Sequence, residues 1–128
     1  MKAKQVVLSF YSVLFILFGI TALVSPTLIS SVINFELQTP VANMEFMATY
    51  GGLFLGLGLF MLYCIKSNIS IGLVCVLLTM GSMLISRIAG AFIFGGVDLI
   101  QSIYICGELF TIIFVCALLY NSRLVQSA

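Results

Sequence analysis

Residues 69–94 read ISIGLVCVLLTMGSMLISRIAGAFIF, and this stretch decides the fold. It holds a single charge, Arg87, contains no proline, and is closed by Gly95-Gly96. An α-helix rises about 1.5 Å per residue, so roughly 20 apolar residues cross the ~30 Å hydrocarbon core of a bilayer. Three further runs satisfy the same criterion. The first extends from about Val6 to Val24 and ends at Ser25-Pro26, the second lies between Pro40 and Lys66, and the third follows Asp98 and ends near Tyr120. The expected spans are residues 6–25, 41–65, 69–94 and 98–120, forming one integral membrane domain over 1–128. The fold class expected is all-α, a four-helix transmembrane bundle.

Composition supports the same reading. Of 128 residues 62% are hydrophobic and 7% charged, with a mean hydropathy of +1.29. Soluble domains carry about 25% charged residues, so nine charges cannot clothe a soluble exterior and the lipid bilayer is the expected partner. The net charge of +1 excludes a strongly basic nucleic-acid binder. Histidine is absent, which removes the commonest zinc ligand and general base and the usual haem ligand. No metal and no cofactor is expected. The cysteines Cys64, Cys75, Cys106 and Cys116 form no CxxC pair and read as buried thiols acting as small hydrophobes. Met1-Lys2-Ala3-Lys4 resembles the start of a signal peptide, but the apolar run behind it is long for one and no A-x-A site follows. The first helix is expected to be retained.

Between the first two spans, Leu28 to Phe35 is apolar enough for a short interfacial helix. Thr39-Pro40 then has the form of an N-cap followed by proline at the first helical position. Orientation follows from the basic residues. Lys2, Lys4, Lys66 and Arg123 fall on one side, whereas Glu36, Glu45 and Asp98 fall on the other. Both termini are therefore expected in the cytoplasm, with Tyr63 and Tyr120 at the cytoplasmic interface. Small residues mark close helix packing. These are Gly51, Gly52, Gly56 and Gly58 in the second span, Ser12, Gly19 and Ala22 in the first, and Thr79, Ser82, Ser86 and Gly90 in the third.

Ionisable residues within a span are functional candidates because charge is costly there. Glu108 lies about 15 Å from the outer end of the fourth span and about 18 Å from the inner end. At that depth it must be neutral or paired. Arg87, roughly 26 Å along the third helix from the cytoplasmic turn, is the obvious partner, with snorkelling to the outer headgroups as the alternative. Glu45 sits one turn into the second span, where an anion is favoured by the helix N-terminus. Gln101, Tyr104, Glu108 and Thr111 fall within about 80° of one another on the fourth helix. This polar stripe ends at Thr111, so the expected pocket is open outward and sealed toward the cytoplasm. Its candidate lining is Glu45, Tyr50, Arg87, Gln101, Tyr104 and Glu108.

Glu45 with Tyr50-Gly51-Gly52, Arg87-x-x-Gly90, Gly95-Gly96 and Glu108 together resemble the bacterial domain-of-unknown-function 4345 family. The resemblance covers most of the chain and implies a small four-span protein of the bacterial inner membrane, with no activity attached. Three functions compete. One is binding or transport of a small-molecule ligand through the outward pocket. Four helices are few for a transporter subunit and show no inverted repeat, so transport would call for a homo-oligomer. The second is a structural or assembly protein whose Arg87–Glu108 pair sets helix packing. The third, an enzyme, lacks a nucleophile, metal or cofactor to support acid–base work by Glu45 and Glu108 and is the least favoured.

Overall fold

The computed structural model describes residues 2–126, with side chains described for 2–120. It contains five helices: α1 Lys2–Val24, α2 Pro26–Val32, α3 Pro40–Ser67, α4 Ile69–Phe94 and α5 Leu99–Gln126. Four of them, α1, α3, α4 and α5 (as Leu99–Tyr120), are long and apolar enough to cross a membrane. Only 17% to 28% of each span is buried within protein. Leu78, Phe92 and Phe110 are among many large apolar side chains left exposed. Water would penalise such a surface, whereas hydrocarbon does not. This is a multi-pass membrane protein.

The helix ends follow local chemistry. Pro26 opens α2. Asn34 closes it with a left-handed backbone (φ 59°), donating its N–H to the Ser31 carbonyl while Phe35 N–H reaches the Ser30 carbonyl at 2.7 Å. This paired closure is a Schellman motif, in which asparagine is one of few residues that tolerate positive φ. Thr39 Oγ1 caps α3 by accepting from Ala42 N–H. Asn68 Oδ1 accepts from Ser70 and Ile71 N–H at the start of α4. Asp98 Oδ1 accepts from Gln101 N–H at 2.7 Å and caps α5. Gly95 and Gly96 both have positive φ between α4 and α5. Two helices run longer than the spans expected from sequence: α1 starts at Lys2 and α5 continues to Gln126. Neither extension contains a proline or glycine to stop it. The side chain of Arg123 lies outside the described residues.

The chain divides into two compact units, Met1–Gly72 and Leu73–Ala128. In the first, α1 packs closely along the second half of α3. A Cβ at Gly19 would lie 2.6 Å from Leu55 N, and one at Gly58 would lie 2.8 Å from Ile16 N. Such separations leave no room for a side chain, so these glycines let the two backbones touch. Ser12 Oγ, fully buried, donates to the Gly58 carbonyl at 2.9 Å across the same seam. Gly51 faces the Leu23 side chain. By contrast, a Cβ at Gly52, Gly56 or Gly90 would meet nothing within 4 Å among the described residues.

Residues Met47–Leu53, which include Tyr50-Gly51-Gly52, form a π-helical segment inside α3. Two adjacent glycines hold an α-helix weakly, and a π turn widens the backbone locally. Around it runs a ring stack. Phe46 lies on Tyr50 (centroids 4.6 Å apart), Tyr50 on Phe54 (5.9 Å), and Phe54 against Phe15 and Phe18. Ala22, Ile29 and Phe46 form the core beneath it, with Ile33 and Leu37 packed on from the loop.

In the second unit α4 and α5 are joined differently. Few Cα pairs between them come within 8 Å among the described residues, so long side chains must bridge them. Leu73, Val76, Met80 and Leu84 on α4 and Glu108, Thr111 and Val115 on α5 are buried. None of the four cysteines is joined in a disulfide, and only Cys64 is buried. Cys106 and Cys116 are exposed on α5, which corrects the expectation of four buried thiols. Exposure on a span means contact with hydrocarbon, a surrounding as apolar as a core.

Glycine substitutions will test the α1–α3 seam. Gly19→Ala and Gly58→Ala are each expected to cost about 1–3 kcal/mol, because backbone atoms must move to admit the methyl group. Gly56→Ala is expected to be neutral or to gain up to about 1 kcal/mol from helix propensity. Denaturant unfolding in detergent micelles measures all three. Equal effects at Gly19 and Gly56 would contradict the seam.

Candidate functional site

Arg87 is the centre of the polar cluster in the second unit. It extends from α4 to side chains of α5. Its Nε donates to Glu108 Oε1 at 2.8 Å, and Nη1 donates to Gln101 Oε1 at 2.7 Å. Its guanidinium carbon lies 4.7 Å from the centroid of the Tyr104 ring, within reach of a cation–π attraction. Four side chains anticipated from the α5 stripe and the α4 arginine are thus in one constellation.

The stripe arises from helical spacing. Gln101, Tyr104 and Glu108 are separated by three and four residues, so they share a face and approach the guanidinium from successive turns. Asp98, by capping α5, sets where that face begins. Thr111, one turn beyond Glu108, is buried and donates Oγ1 to the Gly107 carbonyl.

Burial makes the pair consequential. The Glu108 side chain is 7% exposed and that of Arg87 24%. Glu108 Oε2 is buried and has no hydrogen-bond partner among the described residues. A carboxylate held by both Nε and Nη2 of one guanidinium would have both oxygens satisfied. Here the grip is on one oxygen only.

Glu45 and Tyr50 belong to the first unit. Glu45 is exposed near the start of α3, and Tyr50 lies within the ring stack. No group of three or more His, Cys, Asp or Glu side chains that could hold a metal occurs among the described residues. Sequence reasoning did not anticipate the π segment. Its only sequence signal was the glycine pair within an apolar run.

A family model described as domain of unknown function (DUF4345) matches residues 3–119. The chain belongs to this family. No curated protein and no solved structure matches it. The DUF4345 match contains the whole Arg87 cluster, the π segment and the four candidate spans between residues 3 and 119. A family so described attaches no chemistry to them, so the geometry must supply the functional reading.

Removing one member of the pair tests its energetics. Arg87→Ala leaves Glu108 buried without its cation and is expected to destabilise the protein by about 2–4 kcal/mol. This lies toward the low side of what uncompensated buried charges cost, since Arg87 retains solvent access. The double variant Arg87→Leu/Glu108→Leu is expected to recover most of that loss. Unfolding free energies of the two proteins in the same detergent check this, and a double variant no more stable than the single one would contradict it.

Proposed function

We propose that the Arg87 cluster is a ligand site, and that this protein binds or transports a small molecule through a pocket in the outer half of the membrane. The observation that carries this reading is the buried Glu108 Oε2 without a donor, beside a guanidinium with hydrogen-bonding capacity left over. A pair kept only to fix helix packing gains most by making its full two-pronged contact. A pair that leaves one oxygen bare in a low-dielectric site incurs a penalty with no structural return. Such a deficit is characteristic of groups that complete their bonding with something else.

The proposal includes a topology. Lys2, Lys4, Lys66 and Arg123 favour the cytoplasmic side, and Glu36, Glu45 and Asp98 the outer side, of a bacterial inner membrane. On that orientation Gln101, Tyr104 and Glu108 lie in the outer half of α5, reached from outside. Glu45 and Tyr50, which belong to the first unit, are proposed only as an acid and an aromatic of α3 on the outer side. Transport rather than binding alone would call for more than one copy of the chain. The alternative, an accessory protein in which the pair sets helix packing, is favoured by the tolerance of lipid-embedded pairs for imperfect partners.

Two experiments test these statements. In a cysteine-free background, Val97→Cys is expected to react with a membrane-impermeant maleimide added outside intact cells, and Ser67→Cys is expected to react only after lysis. The reverse pattern refutes the topology. For the site, small polar compounds are screened by thermal shift against the intact protein and Glu108→Gln. A compound that raises the melting temperature of the first and not the second is expected, each measured against its own compound-free melting temperature. If Glu108→Gln melts far lower and no compound distinguishes the two, the structural alternative replaces the ligand site.

A further inference from the structure

Resting on the ligand-site reading above, we propose that the Arg87 cluster is selective for an uncharged ligand group that presents a hydrogen-bond donor beside an acceptor, of the carboxamide type, and rejects anions and cations of the same shape.

The first argument is charge. Arg87 and Glu108 are in contact at 2.8 Å, so the guanidinium's charge is already matched. Asp98 reaches the cluster only through the Gln101 backbone N–H, and among the described residues no Lys, Arg, Asp or Glu besides this pair is hydrogen-bonded to Arg87 or Glu108. A bound anion or cation would therefore add a whole uncompensated charge to a membrane-embedded site, where such charges are strongly disfavoured. An uncharged group adds none. An exposed arginine would select an anion, but Glu108 removes that advantage.

The second argument is hydrogen-bond complementarity. A guanidinium has five N–H groups. Those of Nε and one from Nη1 are used on Glu108 and Gln101. Nη2 makes no hydrogen bond among the described residues, so donors remain. On the carboxylate, Oε2 remains as a buried acceptor without a partner. Nη2 shares the Nε edge of the guanidinium, the edge that already holds Glu108. An open donor and an open acceptor thus belong to one ion pair. A carboxylate offers only acceptors and leaves Oε2 bare, while an amidinium offers only donors and leaves Nη2 bare. A carboxamide supplies C=O to Nη2 and N–H to Oε2, completing both.

The third argument is space. The backbones of α4 and α5 keep apart where α1 and α3 touch. A glycine-lined seam like that at Gly19 and Gly58 would exclude any guest, and among the described residues no glycine of α4 or α5 past Gly72 makes such a contact.

Acetamide, acetate and acetamidinium share one planar shape and carry charges of zero, minus one and plus one at neutral pH, so they isolate charge. Saturation-transfer NMR on the full-length protein in lipid nanodiscs ranks them by competition. Acetamide is expected to bind about tenfold or more tightly than either ion, the discrimination that an unmatched buried charge readily provides. In Glu108→Gln the Arg87 charge is unmatched, and preference is expected to move to acetate. In Arg87→Gln it is expected to move to acetamidinium. A packing role for the pair predicts no such exchange of charge preference. If acetate or acetamidinium is preferred by the intact protein and that binding depends on Arg87 and Glu108, the uncharged class is refuted while the ligand site stands. If no probe shows dependence on either residue, as when water alone bridges the pair, both fail. Should both variants misfold, the ranking on the intact protein decides by itself.

Discussion

Hydrocarbon supplies no hydrogen-bond partner, and every other feature of this chain follows from that restriction. Between Lys2 and Gln126 the backbone is helical except at short connections, because a helix satisfies its own amides and carbonyls. Where a helix ends, a local group substitutes for the missing turn: Thr39, Asn68 and Asp98 supply side-chain oxygens, and Asn34 and Gly95 supply positive φ. The same restriction prices polar side chains. Ser12, buried in the α1–α3 seam, donates its hydroxyl hydrogen bond to the Gly58 carbonyl. Thr111 does the same to Gly107. Against this background the bare Glu108 Oε2 stands out, since it belongs to the most costly group in any span.

Lipid also removes the hydrophobic drive between helices, so each unit needs another source of cohesion. The two units use different ones. In Met1–Gly72, backbones touch through Gly19 and Gly58, dispersion contacts multiply along the seam, and stacked rings from Phe46 to Phe54 consolidate it. In Leu73–Ala128, the α4 and α5 backbones remain apart and Arg87 bridges them with three partners. The first arrangement excludes guests by filling space. The second depends on long polar side chains instead of backbone contact.

Much of this was legible in sequence because it depends on local or periodic properties. The span at residues 69–94 was readable to the residue, since Asn68 precedes it and Gly95 ends it. Thr39-Pro40 announced the start of α3. The α5 stripe was readable because three- and four-residue spacing fixes a shared face whatever lies opposite. What faces it is a tertiary matter: sequence offered Arg87 as a partner for Glu108, but it could not tell that one carboxylate oxygen would be left out. Nor could it choose among the glycines of α3. Gly51 and Gly58 face α1, while Gly52 and Gly56 are open among the described residues, and all four have the same local signature. The π segment escaped for a related reason. It shifts helical phase by one residue, and periodicity read at 100° per residue carries no sign of it.

That phase shift has a consequence for the first unit. A continuous α-helix from Pro40 to Ser67 would rotate the face before Met47 by about 100° relative to the face after Leu53. With the π turn in place, Phe46 is buried beside Ala22 and Ile29, and Gly51 and Gly58 still meet α1. Both contacts cannot be kept by a regular helix of this sequence, because Phe46 and Gly58 would change their angular relation. The extra residue is thus what allows α3 to serve the α2 loop with its first turns and α1 with its last. Tyr50, within the wide turn, stacks on Phe46 behind it and Phe54 ahead of it, and so joins the two halves across the change of phase. The Tyr50-Gly51-Gly52 sequence then has a physical role in which the ring bridges the turn and the glycines admit it.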